Sequence, residues 1–358
     1  MSDYTFNEKR SVSIGDAERF TAALYEAAGM GREDAETVAK NLVEADARGV
    51  YSHGIQRNSL YIKRFEKGGT SPTGRPFVER EFAATAVVNG DNAMGMVVCE
   101  YAMNKAIELG KKYGTGAVAI TGSNHFGTCA HYIQQAVDAG MIGFVYTINC
   151  GNIMAPWGGV DRVLGNNPFG MGVPCRKHAD VIMDMATSIV ARGKIVVARK
   201  THTPIPADWA IDTEGRPTTD ADKAYWGCVQ PFAGYKGYNL TFMNAVVSAI
   251  LTNSSFGDKL PDLYEDPDKV QNSAHLFFVI DINAIDDVEA FKDRMDETID
   301  FIKNGKKAVG FDEIFVPGEI EANCQKKARE EGIVYPVEIL DENNALAEKY
   351  GLPAELRL

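Results

Sequence analysis

The stretch Thr70-Ser71-Pro72-Thr73-Gly74-Arg75-Pro76, dense in proline, glycine and hydroxyl residues, divides the chain into two regions of different pattern. Before it, apolar residues recur only at helical spacing. Phe20, Leu24 and Ala27 follow a capping-box start at Ser13-Ile14-Gly15-Asp16, and Ala35, Val38, Leu42 and Ala45 form the buried stripe of a second helix over about 34–48. A third helix is expected to end at Gly68-Gly69, which makes the opening lobe all helical. Beyond the linker, strands predicted at 84–89, 117–120, 142–148, 181–183 and 276–282 alternate with helices over 98–112, 130–139, 188–200, a stretch after Gly237, 287–303 and 319–331. The expected class is α/β, or mixed α+β, in a 358-residue chain long enough for two lobes.

The stretch from Asp46 to Arg57, Asp46-Ala47-Arg48-Gly49-Val50-Tyr51-Ser52-His53-Gly54-Ile55-Gln56-Arg57, joins the second helix to the third. Ile55, Ile62 and Phe65 keep near-helical spacing, so Ser52 is predicted as an N-cap, with His53 and Arg57 four residues apart on one helix face. A helix start with unpaired N–H groups and a guanidinium favours a carboxylate, and His53 supplies a proton donor beside it. The same turn also fits a plain cap followed by a surface histidine.

Further motifs narrow the chemistry. Gly114-Thr115-Gly116-Ala117-Val118-Ala119 matches a loose dinucleotide fingerprint, but a helix precedes the glycines and a strand follows them, the reverse of a Rossmann turn. A bound dinucleotide would need another architecture. His125 lies in a polar turn after a strand and before a helix, and is a second site candidate. His131 falls six residues on, a spacing unsuited to shared metal ligation, and none of the six cysteines forms a Cys-x-x-Cys pair, so no metal is expected. Asp184-Met185-Ala186-Thr187-Ser188, Gly234-Tyr235-Lys236-Gly237-Tyr238 and Pro317-Gly318-Glu319 are each predicted at a helix entrance, where backbone N–H groups, Lys236 and the Glu319 carboxylate suit phosphate or ribose. Each also fits an ordinary cap. No Gly-x-Ser-x-Gly elbow occurs, which disfavours a serine hydrolase. A net charge of −12 disfavours a nucleic-acid partner, and the absence of a signal-like or membrane-length apolar run predicts a cytoplasmic protein with reduced thiols.

Taken in order, Ala45 to Gly54 with Arg57, Ser123-Asn124-His125-Phe126-Gly127, Gly165-Asn166-Asn167-Pro168, Asp184 to Thr187, Tyr235 to Tyr238 and Pro317-Gly318-Glu319 resemble the malate/L-lactate dehydrogenase family that is distinct from Rossmann-type enzymes. The resemblance covers nearly the whole chain. It implies an oxidoreductase that uses NAD, or NADP, and works as a homodimer with its active site near the subunit contact. It also implies a non-Rossmann cofactor domain with a mixed sheet, set within residues 76–320, and a helical lobe from residues 1–75 and 321–358. His53 and His125 become the acid/base candidates, with Arg57 holding the carboxylate of a small anionic substrate. Asp184, Met185, Ala186, Tyr235, Lys236, Gly318, Glu319 and Ile320 would line the cofactor, with Asn149 as a further candidate. The implied reaction moves a hydride between the cofactor and C2 of a 2-oxo or 2-hydroxy acid. Malate is the first choice, followed by lactate, sulfolactate and ureidoglycolate. Cyclic-imine acid reduction and a non-catalytic nucleotide-binding role are the rivals. Tyr51, where some members carry His, and Asn166, where many carry Thr, bear on the substrate rather than on the reaction.

Overall fold

The computed structural model describes residues 8–148 and 151–358. The chain opens with a strand, β1 (Lys9–Val12), then the helices α1 (Ile14–Ala27), α2 (Arg32–Ala47) and α3 (Asn58–Lys67). The capping signals act where the sequence places them. Ser13 accepts the Asp16 N–H at 3.0 Å to start α1, and Gly68, at φ 82°, closes α3. The opening lobe is not all helical, however. Strand β1 pairs antiparallel with β11 (Ile333–Pro336), Lys9 opposite Pro336 and Val12 opposite Ile333. The β1 sequence shows no apolar alternation, and it is a strand because the far end of the chain supplies its partner.

After the linker come β2 (Phe77–Phe82), β3 (Thr85–Asn89), α4 (Gly95–Tyr113), β4 (Thr115–Ser123), α5 (Cys129–Asp138), β5 (Met141–Thr147), β6 (Phe169–Val173) and β7 (Val181–Met185). Helix α4 stops at Gly114 and β4 begins at the next residue, the reverse of a Rossmann turn. With β10 (Ser273–Asp281) these strands form one seven-stranded sheet in the order β2-β3-β4-β10-β5-β6-β7. Only β3 and β4 run parallel, joined by the α4 crossover; every other neighbouring pair is antiparallel. The sheet is therefore mixed, and β10 lies between β4 and β5, so the α5 crossover skips a strand. Helices α4 and α5 cover the sheet with a core that includes Val98, Met103, Ile133, Val118, Val145 and Phe277.

The remaining elements are α6 (Arg192–Lys200), β8 (Ala210–Ile211), α7 (Ala221–Trp226), β9 (Cys228–Val229), α8 (Tyr235–Ala245), α9 (Val288–Lys303), α10 (Glu319–Glu331) and α11 (Val337–Lys349). The helix expected to start at Ser188 starts instead at Arg192. Residues 187–189 are held by backbone bonds to 230–232, Ile189 N–H to Gln230 O and Phe232 N–H to Thr187 O. A separate small core of Ile153, Met154, Leu164, Val190, Ile195 and Val229 forms there. Two further cores tie the chain ends together. Phe20, Leu24, Leu42 and Tyr61 pack with Ala347 and Leu352, and Ala17, Val43 and Ile55 pack with Ile333, Tyr335 and Leu340.

Candidate active site

The segment between α2 and α3 is shaped by a buried acid. Two short 3-10 turns, Tyr51–His53 and Ile55–Arg57, precede α3, so Ser52 is not the predicted N-cap and His53 and Arg57 do not share an α-helical face. The Asp46 carboxylate accepts the Ile55 N–H and the Tyr335 hydroxyl, both at 2.9 Å. It takes the N–H that a longer helix would have left to water. Burial pushes the Asp46 pKa up to about 8, against the pull of those two donors. A Cβ on Gly54 would lie 1.7 Å from an Asp46 carboxylate oxygen, so glycine is required where chain and acid meet. The Ser52 hydroxyl sits 2.9 Å from His53 Nδ1, and Arg57 Nε donates to Ser52 O at 2.6 Å.

His125 approaches from the turn after β4, and its ring stacks on His53 with centroids 5.5 Å apart and planes 27° apart. Its Nδ1 accepts the Gly127 N–H at 3.3 Å and faces the Tyr61 hydroxyl at 2.7 Å. An amide can only donate, so Nδ1 carries no proton. The neutral ring then holds its proton on Nε2, and Tyr61 is the second donor. Burial first, then the Arg57 charge, holds both histidines below the usual range; for His125 the drop is large and His53 adds to it. A third ring, His275 on β10, lies between Thr147 Oγ1 at 2.6 Å and Ser123 Oγ at 3.1 Å, and burial pushes it down to about 3.

These rings open on a cavity of about 400 Å³, within the size range of small-molecule sites. Of the predicted residues, His53, His125, Asp184, Ala186 and Gly318 line it. Asp184 is the penultimate residue of β7, and its carboxylate accepts the Ala130 N–H at 2.9 Å, so it caps α5 rather than standing at a helix entrance of its own; burial pushes its pKa up. Gly318 begins α10 at φ 84°, where a Cβ would meet Ile182 O at 2.6 Å. Arg57, Met185, Tyr235, Lys236, Glu319 and Ile320 do not line the cavity. Tyr235 and Lys236 occupy the exposed first turn of α8, next to Trp157. The Glu319 carboxylate is engaged by Lys303 and by the Val316 N–H. Asn149 lies outside the described residues.

Four residues that the motifs did not single out belong to this arrangement: Arg48, Tyr61, Thr147 and His275. Arg48 carried a signal, because it falls three residues after Ala45 and continues the buried stripe of α2. His275 carried none, since its part depends on β10 lying between β4 and β5. Among the described residues, no group of three or more His, Cys, Asp or Glu side chains is placed to hold a metal.

Residues 12–342 match the malate/L-lactate dehydrogenase family. The chain belongs to that family. A malate dehydrogenase of Pyrococcus abyssi (strain GE5 / Orsay) is 36% identical over 341 residues, which cover 93% of either chain. A ureidoglycolate dehydrogenase (NAD(+)) of Escherichia coli (strain K12) is 35% identical over 315 residues, 88% of either chain. Among solved structures, the sulfolactate dehydrogenase from Methanocaldococcus jannaschii superposes with a TM-score of 0.91 at 34% identity, over 97% of this chain and 99% of that one. The malate/L-lactate dehydrogenase family member described here is thus an oxidoreductase, and the histidine-lined cavity is its candidate active site.

Proposed function

We propose that the protein transfers a hydride between a nicotinamide cofactor, NAD or NADP, and C2 of a small 2-oxo or 2-hydroxy acid, with malate and oxaloacetate as the first pair. The observation that carries this reading is the His125 ring. Two donors at Nδ1 leave its proton on Nε2, inside a cavity that His53 shares. The Asp184 carboxylate, the backbone at Gly318 and a buried guanidinium fit a ligand that carries both hydroxyl and anionic groups. When bound, the cofactor supplies or accepts the hydride. The protein's own groups place the acid and manage the proton.

Burial and the Arg57 charge keep the His125 ring neutral. An incoming carboxylate offsets that charge and raises the ring's affinity for a proton, so substrate and proton arrive together. His125 then gives a proton to the C2 oxygen, with His53 as the second acid/base group. Arg57 sits just outside the lining, tied to Ser52 O, and attracts the substrate carboxylate from there. In this reading Asp184, Met185 and Ala186, Tyr235 and Lys236, Gly318, Glu319 and Ile320, and Asn149, serve the cofactor. The protein is a cytoplasmic homodimer; Leu240, Met243, Ile250 and Leu251 on α8 and its continuation offer the exposed apolar surface such a contact needs, and no helix among the described residues is long and apolar enough to cross a membrane.

The test follows NADH, and separately NADPH, by absorbance with oxaloacetate, pyruvate, sulfopyruvate and a cyclic imine acid. Rapid oxidation with a 2-oxo acid is expected, and the preferred member of the panel names the substrate. Oxidation with the imine alone moves the reaction to imine reduction. Cofactor binding without any oxidation overturns the dehydrogenase assignment in favour of a binding role.

A further inference from the structure

Arg48 is the one lysine or arginine side chain, among the described residues, that lines the cavity. It is 6% exposed, and no hydrogen bond or ion pair joins its guanidinium to any described residue. A buried charge left in that state is costly unless something else compensates it. Two of the nearby acids, Glu44 and Asp184, are already committed. Glu44, one turn back on α2, is bound to His131 Nδ1 at 2.6 Å, and Asp184 caps α5. Both feel the Arg48 charge without touching it, and Glu321, on the first turn of α10, shares the cavity without pairing to it.

The two arginines of the region act on different groups. The cation that acts on His53 is Arg57, and the one that acts on Asp184 is Arg48. Arg48 therefore belongs with Asp184 rather than with the reacting histidine pair. The chain carries a net charge of −12, which repels a dinucleotide wherever no cation is held locally. A planar guanidinium fork binds phosphate oxygens as readily as carboxylate oxygens, and Arg57, the arginine beside the histidine pair, is already placed for the substrate carboxylate, which leaves Arg48, beside Asp184, for the phosphates.

From these observations we infer that Arg48 is a binding residue for the diphosphate of the dinucleotide cofactor, a role that rests on the dehydrogenase reading above. It has no part in proton or hydride transfer. Its burial at the end of α2 holds the donor fork in place before the cofactor arrives, so little side-chain freedom is lost on binding.

The test titrates NADH by fluorescence against wild type, Arg48→Met and Arg48→Lys. Dihydronicotinamide riboside, which lacks phosphate, is titrated in parallel, and thermal unfolding is recorded for each protein. Removing a charge-assisted contact is expected to weaken NADH binding roughly ten- to a hundredfold in R48M, with partial recovery in R48K. Riboside affinity, and the KM for the 2-oxo acid at saturating NADH, are expected to stay at wild-type values. Arg48→Gln replaces R48M if that variant unfolds. Unchanged NADH affinity overturns the inference. So does an equal loss for the riboside, or a rise confined to the substrate KM, which would place Arg48 on the substrate. Failure of wild type itself to bind NADH or NADPH overturns the dehydrogenase reading, and is distinguished by needing no variant.

Discussion

His125 and His131 stand six residues apart around the start of α5, and their surroundings drive them to opposite charge states. His125 faces only donors at Nδ1, with burial and Arg57 against any charge, and is held well below the usual histidine range. Burial also opposes charge on His131, but Glu100 and Glu44 outweigh it and push the ring up to about 9. His131 Nδ1 lies 2.6 Å from Glu44 of α2, and Nε2 lies 3.3 Å from Glu100 of α4. One ring is held neutral; the other is a standing ionic clamp between three helices. Burial is common to both, so the difference lies in whether the neighbours are donors or acceptors.

The largest expected break in this contrast is His125→Ala. Turnover should fall about 10²- to 10⁴-fold by loss of the acid/base group, while the variant still unfolds cooperatively in urea and so remains folded in its absence. His53→Ala should lower turnover in the same way, and a near-normal rate for either variant removes that residue from proton transfer. His131→Leu should do the reverse. It leaves the half-buried carboxylates of Glu44 and Glu100 without their cation, at a cost of about 1–3 kcal/mol in urea unfolding, while the folded fraction keeps its turnover per molecule.

The pH dependence sharpens the comparison. Because the folded pKa of His131 is raised, its stabilisation is complete below the unfolded value near 6.5 and is lost as pH rises towards about 9. The folded pKa of His125 is depressed, so below about 6.5 the unfolded chain takes up the proton and stability falls as pH drops. Urea midpoints of His131→Gln should therefore decline less than those of wild type on the alkaline side, and those of His125→Gln less on the acid side. The smallest effect is expected from Tyr61→Phe, which removes one hydroxyl donor to His125 Nδ1. A loss of about 1 kcal/mol corresponds to a several-fold drop in kcat with KM little changed, and a larger rise in KM would give Tyr61 a direct part in substrate binding.

Much of the framework follows from local pattern. The apolar stripes of α1 and α2, the glycine that ends α4, and the short apolar runs of β4, β5 and β10 place those elements within a few residues of their sequence-based bounds. Strand β6 (Phe-Gly-Met-Gly-Val) carries two glycines and no strand signature, and it forms because β5 and β7 flank it. The start of α3 departs from its sequence expectation for a different reason. The helical spacing of Ile55 and Ile62 is real, but Asp46, nine residues back, captures the Ile55 N–H and holds the chain in tighter turns.

For the site, the sequence by itself determined the residue types and their order: two histidines in glycine-bounded turns, an arginine at either end of the connection between α2 and α3, and the succession of motifs that marks the family. Those properties are local, and local spacing encodes them. Only the tertiary structure decided which groups share a cavity and in what charge state. Gly127 and Tyr61 fix the proton of His125, two acids charge His131, strand order brings His275 to the cavity, and burial leaves Arg48 facing it with no ion pair to any described residue. Charge state and partnership depend on distance and desolvation between residues far apart in the chain, which side-chain spacing along the sequence does not carry.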